Sequence, residues 1–238
     1  MLAANEEIAE LMTAAFQPEI TVNTGEHRKL KAFLFDFDGV VVDTEKYHYL
    51  SWVASAAHVG YDLSWQEYLP LKSTGNTEII EYLCEHSGTA VSDALFQKMR
   101  ETKMVEFNRM VADLSEKDVL PGIREFLSWL NENQIPTAVA SSSSTSSGLA
   151  KRFELDKHFQ VVIDGNMKLP RKPAPDTFLL AAKMLGIDSG DCIVFEDSLA
   201  GIDAAVNAGM PVVAVGGIRS EKAILHIDDF RNIRNFFS

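Results

Sequence analysis

The sequence predicts an α/β fold: a doubly wound parallel sheet carrying an inserted α-helical cap. Three observations carry that expectation. From Pro121 onward short apolar runs alternate with segments of helical periodicity; an isolated apolar run, KAFLFDF, stands far upstream at residues 31–37; and residues 44–119, between the two, are helical in periodicity with almost no strand signal. Short strands that are apolar throughout are buried on both faces, which calls for helices on both sides of a parallel sheet.

Each element follows in order. Residues 5–16 place Ile8, Leu11, Met12 and Ala15 at helical spacing, and Pro18 with a polar connector at 23–29 follows, so residues 1–29 read as an N-terminal extension. The run at 31–37 ends in acids and Gly39, as a buried strand stopped by a turn does. Helices are expected at 47–59, 77–86 and 92–111 in the cap. The core, 30–43 with 120–238, then reads helix 122–133, strand 136–141, helix 145–153, strand 160–164, helix 175–185, strand 192–196, helix 198–208 and strand 212–215. The last of these helices has Ser198 as N-cap, one apolar face in Leu199, Ile202, Ala205 and Val206, and a stop at Gly209 and Pro211. The strand at 31–37 must join the other four, which makes 44–119 an insertion.

Composition excludes several classes. The 238 residues are 46% hydrophobic and 24% charged, far from the signature of disorder. With 22 Lys and Arg against 34 Asp and Glu, the net charge of −12 disfavours a nucleic-acid partner. Two cysteines, Cys84 and Cys192, with no CxxC spacing, indicate neither a disulfide framework nor a zinc site, and a reducing cytoplasm fits. Glu6, Glu7 and Glu10 stand where a signal peptide needs basic residues, and no apolar run reaches a membrane-spanning ~18 residues, so no membrane partner is expected.

Ligands of open parallel sheets bind beyond the carboxyl ends of the strands. Here the first core strand ends in Asp36 and Asp38, the second in Ser141, Ser142 and Ser143, the third leads through Asp164 toward Arg171 and Lys172, and the fourth ends in Glu196 and Asp197. A lone acid after a strand is an ordinary turn residue. The joint pattern is not. Four carboxylates in one cleft repel one another unless a cation sits among them, and oxygen-only ligands with room for a phosphate point to Mg²⁺. In a chain this acidic, a phosphate needs local positive charge, for which Lys172 is the natural source.

DFDGVVVDTE (36–45), Ser141, RKPAPDTF from Arg171 and FEDSLAGIDAA from Phe195 closely resemble, in order, the motifs of the haloacid dehalogenase-like superfamily, in particular its β-phosphoglucomutase-like phosphatases with a helical cap. The resemblance spans about residues 31–217 and implies a Rossmann-like core. It implies Asp36 as nucleophile, forming an aspartyl-phosphate, and Asp38 as general acid and base. The Asp36 side chain, the Asp38 backbone carbonyl and Asp197 would bind Mg²⁺, with Glu196 supporting through metal-bound water. Ser141 would bond a phosphoryl oxygen, and Lys172 would offset its charge and orient Asp36. In the mutase-like relatives, residues equivalent to Thr44 and His48 steer the acid/base Asp, although His48 equally fits a helix surface. Trp52 reads as cap packing.

Asp38 favours phosphate chemistry over dehalogenation, because an alkoxide leaving group needs a proton and a halide does not. No cap lysine stands out for Schiff-base formation, so phosphonate cleavage has little support. A mutase needs a cationic grip on a second phosphate. Where β-phosphoglucomutase has a cap arginine and a lysine after the strand-end serines, this chain has Asn76 and Ser144, leaving Lys72 and Lys103 as cap cations. The expected substrate-binding set is Ser142, Ser143, His48, Asn76 and Lys72; residues 143–145 equally fit an N-cap. The leading expectation is a Mg²⁺-dependent phosphatase of a small phosphorylated metabolite, plausibly a sugar phosphate, and the alternative a hexose-phosphate mutase. A non-catalytic phospho-Asp signalling module fits less well, since receiver domains lack such a cap and take their phosphate on a later strand.

Overall fold

The computed structural model describes residues 20–23, 27–72 and 74–237. A two-stranded antiparallel hairpin, β1 (Ile20–Asn23) and β2 (His27–Leu30), precedes the core, with Ile20 opposite Leu30. It replaces the polar connector expected at 23–29; the expected helix at 5–16 lies outside the described residues.

Six parallel strands form the main sheet. They are β3 (Ala32–Phe35), β4 (Thr137–Ala140), β5 (Val161–Ile163), β6 (Cys192–Glu196), β7 (Val212–Val215) and β8 (Leu225–Ile227), in the order β5-β4-β3-β6-β7-β8. The first five are the expected strands. The sixth was not expected, because only Ile227 of its three residues is buried and it leaves no apolar run.

The helices are α1 (Glu45–Ala56), α2 (Trp65–Tyr68), α3 (Asn76–Ser87) and α4 (Asp93–Val111) in the insertion, then α5 (Ile123–Glu132), α6 (Ser146–Arg152), α7 (Asp176–Leu185) and α8 (Leu199–Asn207) around the sheet. The short α2 went unread, although its Ser64 and Glu67 form a reciprocal capping box. Ser198 caps α8 as expected, accepting from the Gly201 N–H.

Strand periodicity sorts the core into two unlike halves. Phe33, Phe35, Val139, Ile193 and Phe195 face α5 and α6, where Phe35 stacks on Phe195 at 4.9 Å and Phe126 meets Phe33 edge-on at 5.9 Å. Ala32, Leu34, Ala138, Ala140 and Val194 face α7 and α8, which contribute Ala181, Ala182, Ala204 and Ala205. The small residues let these helices lie close against the sheet.

The insertion has a core of its own around Trp52, Leu63, Tyr68, Ile80 and Leu83. Its entry and exit lie side by side: Val42 bridges Val119, Asp43 N–H donates to Asp118 at 2.7 Å, and Leu120 N–H donates to Val41 at 3.0 Å. Both cysteines are buried and unpaired, and no helix among the described residues is long and apolar enough to cross a membrane.

Phe126 packs against Phe33, Phe35 and Phe195 of the sheet and against Phe230 and Phe237, and is almost fully buried. Phe126→Ala is expected to cost roughly 3–5 kcal/mol, read as a lower urea midpoint at unchanged slope. A loss below about 1 kcal/mol would show that the aromatic layer is not the support described.

Candidate active site

The chain turns to opposite sides of β3 as it proceeds, to β4 and β5 on one flank and β6, β7 and β8 on the other. The crevice between β3 and β6 is therefore the switch point of the sheet, where side chains from two adjacent strand ends converge and flanking loops diverge. Asp36 follows β3, its N–H donating to Phe195 at 3.0 Å, while Glu196 ends β6 and Asp197 follows it.

The turn after Asp36 must be tight. Gly39 has φ +78°, and a Cβ there would fall 1.9 Å from Asp197 Oδ2, so glycine is required both for conformation and for space. Gly201 meets the same demand at the start of α8, where a Cβ would fall 1.9 Å from the Glu196 carboxyl.

Asp36, Glu196 and Asp197 offer oxygens within 4.8 Å of one another, all buried. Lys172 bridges two of them, donating to Asp36 Oδ1 at 2.6 Å and Glu196 Oε1 at 2.5 Å. Glu196 Oε2 accepts from the Asp197 N–H, the Ser198 N–H and the Ser198 hydroxyl, so both its oxygens are engaged inside the protein. Glu196 anchors Lys172 and the strand-to-helix turn from beneath the cavity.

Burial pushes the Asp36 carboxyl well above its ordinary pKa, Lys172 opposing and Glu196, Asp197 and Asp38 adding to the rise. Burial likewise takes Asp197 up to about 7 against the pull of Lys72. Burial alone would lower Lys172, but Asp36 and Glu196 outweigh it and hold the ammonium charged. When all are ionised, the carboxylates of Asp36, Glu45, Glu196 and Asp197 are paired, among the described residues, with Lys72 and Lys172 alone, which leaves two negative charges uncompensated there. An all-oxygen donor set with that surplus fits a hard divalent cation.

Asp38 belongs to a different constellation. Its Oδ1 accepts from Thr44 Oγ1 at 2.5 Å and lies 3.6 Å from His48 Nε2. His48 stacks on Phe107, and Lys103 donates to its Nδ1 at 3.2 Å, which leaves the ring proton on Nε2, toward Asp38. Burial raises Asp38, but His48, Thr44 and the Lys103 charge outweigh it, so it rests as the carboxylate. The expected four-acid convergence is thus corrected to three acids, with the Asp38 side chain turned to the cap.

Asp36, Asp38, Asp197, Ser141, Ser142, Ser143 and Lys172 line one cavity of about 330 Å³ together with the cap residues His48, Lys72 and Asn76. The Ser141 hydroxyl accepts from the Ser143 N–H at 3.0 Å and keeps its own proton to give. Thr145 caps α6 by position, but its side chain makes no capping bond. Lys72 differs from expectation: its ammonium pairs with Asp197 and with Glu45 Oε2 at 2.9 Å rather than standing free for a substrate. Trp52 is packed in the cap core and also reaches the cavity wall. Sequence reasoning missed Arg100 on that wall; its spacing of three residues from Lys103 on one helix was the available signal.

A family model described as haloacid dehalogenase-like hydrolase matches residues 30–209. The chain is 34% identical to β-phosphoglucomutase of Bacillus subtilis over 191 residues, covering 79% of this chain and 84% of that one. It is 29% identical to the fructose-1-phosphate phosphatase YqaB of Escherichia coli, covering 79% of this chain and 98% of the relative. Among solved structures, β-phosphoglucomutase from Clostridium difficile superposes with a TM-score of 0.78 at 30% identity, covering 86% and 93% of the two chains.

Lys103 yields a pH test. Burial lowers it to about 8; Asp38 opposes this and Arg171 adds to it. Between pH 8 and 10.5 the folded chain binds fewer protons at this site than the unfolded chain, so stability rises across that window and the charged lysine is a burden below it. Lys103→Met is expected to gain about 3 kcal/mol at pH 7 in denaturation experiments, the gain vanishing by about pH 10.5. A difference that does not change with pH would refute the assignment.

Proposed function

Because this chain belongs to the haloacid dehalogenase-like hydrolases, we propose that it is a Mg²⁺-dependent phosphatase acting on a small phosphorylated metabolite, in the first instance a sugar phosphate. The observation that carries the reading is the buried Asp36 carboxylate, held by Lys172 through Oδ1 alone, in one cavity with Asp38.

Asp36 Oδ2, the oxygen not bound to Lys172, attacks phosphorus; the bond from phosphorus to the ester oxygen breaks, and the leaving alkoxide takes a proton from Asp38. In the second step Asp38, now a carboxylate, takes a proton from water as that water attacks phosphorus, and the bond to Asp36 breaks. Asp38 rests ionised and so is ready for the second step. For the first it must gain a proton, which an incoming phosphate dianion promotes by adding negative charge beside it. Ser141 and Lys172 are the groups that meet the phosphoryl oxygens. Asp36, Asp197 and the Asp38 carbonyl would hold Mg²⁺, which when bound supplies positive charge against the carboxylates and the phosphoryl group. Thr44 and His48 position Asp38.

A sugar phosphate is supported by the names of the relatives and by the cavity's hydroxyl and amide groups. Asn76 and Ser144, where a mutase would carry cations, favour hydrolysis over exchange. A non-catalytic phospho-Asp module would need none of the acid/base apparatus around Asp38. Glucose 1-phosphate supplied with a trace of bisphosphate separates mutase from phosphatase: isomer formation without phosphate release would reject hydrolysis.

A phosphate-release screen over sugar phosphates, nucleotides and short acyl phosphates is expected to find turnover with Mg²⁺ and none with EDTA. Asp36→Asn should lower kcat by about 10⁴-fold or more and Asp38→Asn by about 10²–10⁴-fold. Turnover that survives chelation or Asp36→Asn would demand another mechanism.

A further inference from the structure

α4 belongs to two bodies at once. Met99 packs in the cap core with Trp52 and Leu83, whereas Phe107 and Val111, with Leu114 just beyond the helix end, join the aromatic cluster that covers the sheet. Along its length α4 is bonded to α1 and to the turn that follows α1. The Ser55 hydroxyl donates to the Met99 carbonyl at 3.0 Å, His58 Nε2 lies 2.8 Å from Thr102 Oγ1, and Lys103 and Phe107 hold His48. Asp118, on the limb that leaves the cap, accepts from Lys46 and Tyr47 of α1 as well. The two helices therefore form one piece, and what fixes that piece against the core fixes His48.

A core side chain does the fixing. Arg152, the last residue of α6, reaches the C-terminal end of α4, with Nη1 donating to the Val111 carbonyl at 2.7 Å and Nη2 to those of Ala112 at 2.7 Å and Leu114 at 2.5 Å. The last carbonyls of a helix lack N–H partners inside it and carry its negative pole, so a guanidinium is well placed there. Its planar fork meets three carbonyls in fixed directions, as an ammonium does not. An arginine that merely finished a helix would stand on that helix; this one comes from the other body, 41 residues along the chain. Arg124 of α5 also joins the core to the exit limb through Glu116, but at the surface, where an ion pair contributes little.

The spacing along α4 brings this grip to bear on the reaction. Phe107 and Lys103 stand four and eight residues before Val111, about 6 and 12 Å up the helix and on the same side, so an anchor at the helix end controls them closely. Asp38 of the core meets the joined helices through His48 Nε2 at 3.6 Å and Thr44 Oγ1 at 2.5 Å. A misplacement of about 1 Å at such a contact slows a reaction markedly. We propose that Arg152 is a positioning residue: by gripping the end of α4 from the core it sets the height of the α1 and α4 pair, and thereby the contact through which His48 holds Asp38 for proton transfer. The proposal rests on the phosphatase reading, in which Asp38 is the acid and base, and adds to it a residue that does not line the cavity.

Two measurements on the full chain test it. The first needs no turnover: the ring signals of isotope-labelled histidines are recorded by NMR for the parent, Arg152→Met and Arg152→Lys, with His48 assigned from His48→Gln. The His48 signal is expected to shift in Arg152→Met and less in Arg152→Lys, which keeps the charge without the fork, while His86 of α3 stays in place and reports a folded cap. Arg152→Lys carries both measurements if Arg152→Met does not fold. In the second, kcat/KM, which reports phosphoryl transfer to Asp36, is compared for a sugar phosphate, whose alkoxide must gain a proton, and for p-nitrophenyl phosphate, whose leaving group needs none. Arg152→Met should lower the first by about tenfold or more and the second by less than about threefold, and should add less than about twofold in the His48→Gln background. An unmoved His48 signal, equal losses on both esters, or full additivity with His48→Gln would overturn the proposal. If no ester releases phosphate, the phosphatase reading falls alone, and the His48 signal still decides whether Arg152 places the α1 and α4 pair.

Discussion

The molecule is organised around the burial of like charges. Asp36, Glu196 and Asp197 are withdrawn from water within a few ångströms of one another, an arrangement that is strongly unfavourable unless donors and cations answer every oxygen. Lys172 answers two of the acids, the turn after β6 answers the remaining oxygen of Glu196, and Lys72 answers Asp197 from the cap. The closeness of the turn after β3, with Gly39 against Asp197, follows from the same requirement. The sheet supplies the rigidity: β3 and β6 are parallel neighbours, locked residue by residue, and their ends cannot separate to relieve the repulsion. Negative charge that cannot disperse is what gives the site its appetite for cations.

A second consequence is a division of labour between two carboxylates only two residues apart. Asp36 looks into the core and is raised by its burial among acids, whereas Asp38 looks toward α1 and α4 and is held anionic by Thr44, His48 and Lys103. Environment rather than residue type assigns their roles. The cap thus takes part in setting the protonation of a core residue, through a chain of contacts from Lys103 to His48 to Asp38.

Much of this was legible in the sequence for definite reasons. β3 and β6 are apolar throughout because helices cover both faces, and their terminal acids stand out against that background. The order of acids, serines, lysine and acids along the chain reproduces the order of strand ends around one crevice. What could not be read depended on partners distant in sequence. Lys72 looks like a free cap cation until folding sets it against Glu45 and Asp197. Arg100 occupies an exposed position on an amphipathic helix, where an arginine ordinarily means a solvated face. β8 is recognisable only through its pairing with β7, since its composition resembles a loop.

The bridge between Val42 and Val119 also bears on how such a molecule can change over time. For the sheet, everything from α1 to α4 departs and returns at one point, as a hairpin loop would, so the length and content of that excursion scarcely affect the order in which the strands assemble. A lineage can therefore rebuild the lid over its reaction chamber, altering what is admitted, while the strand ends beneath keep their places.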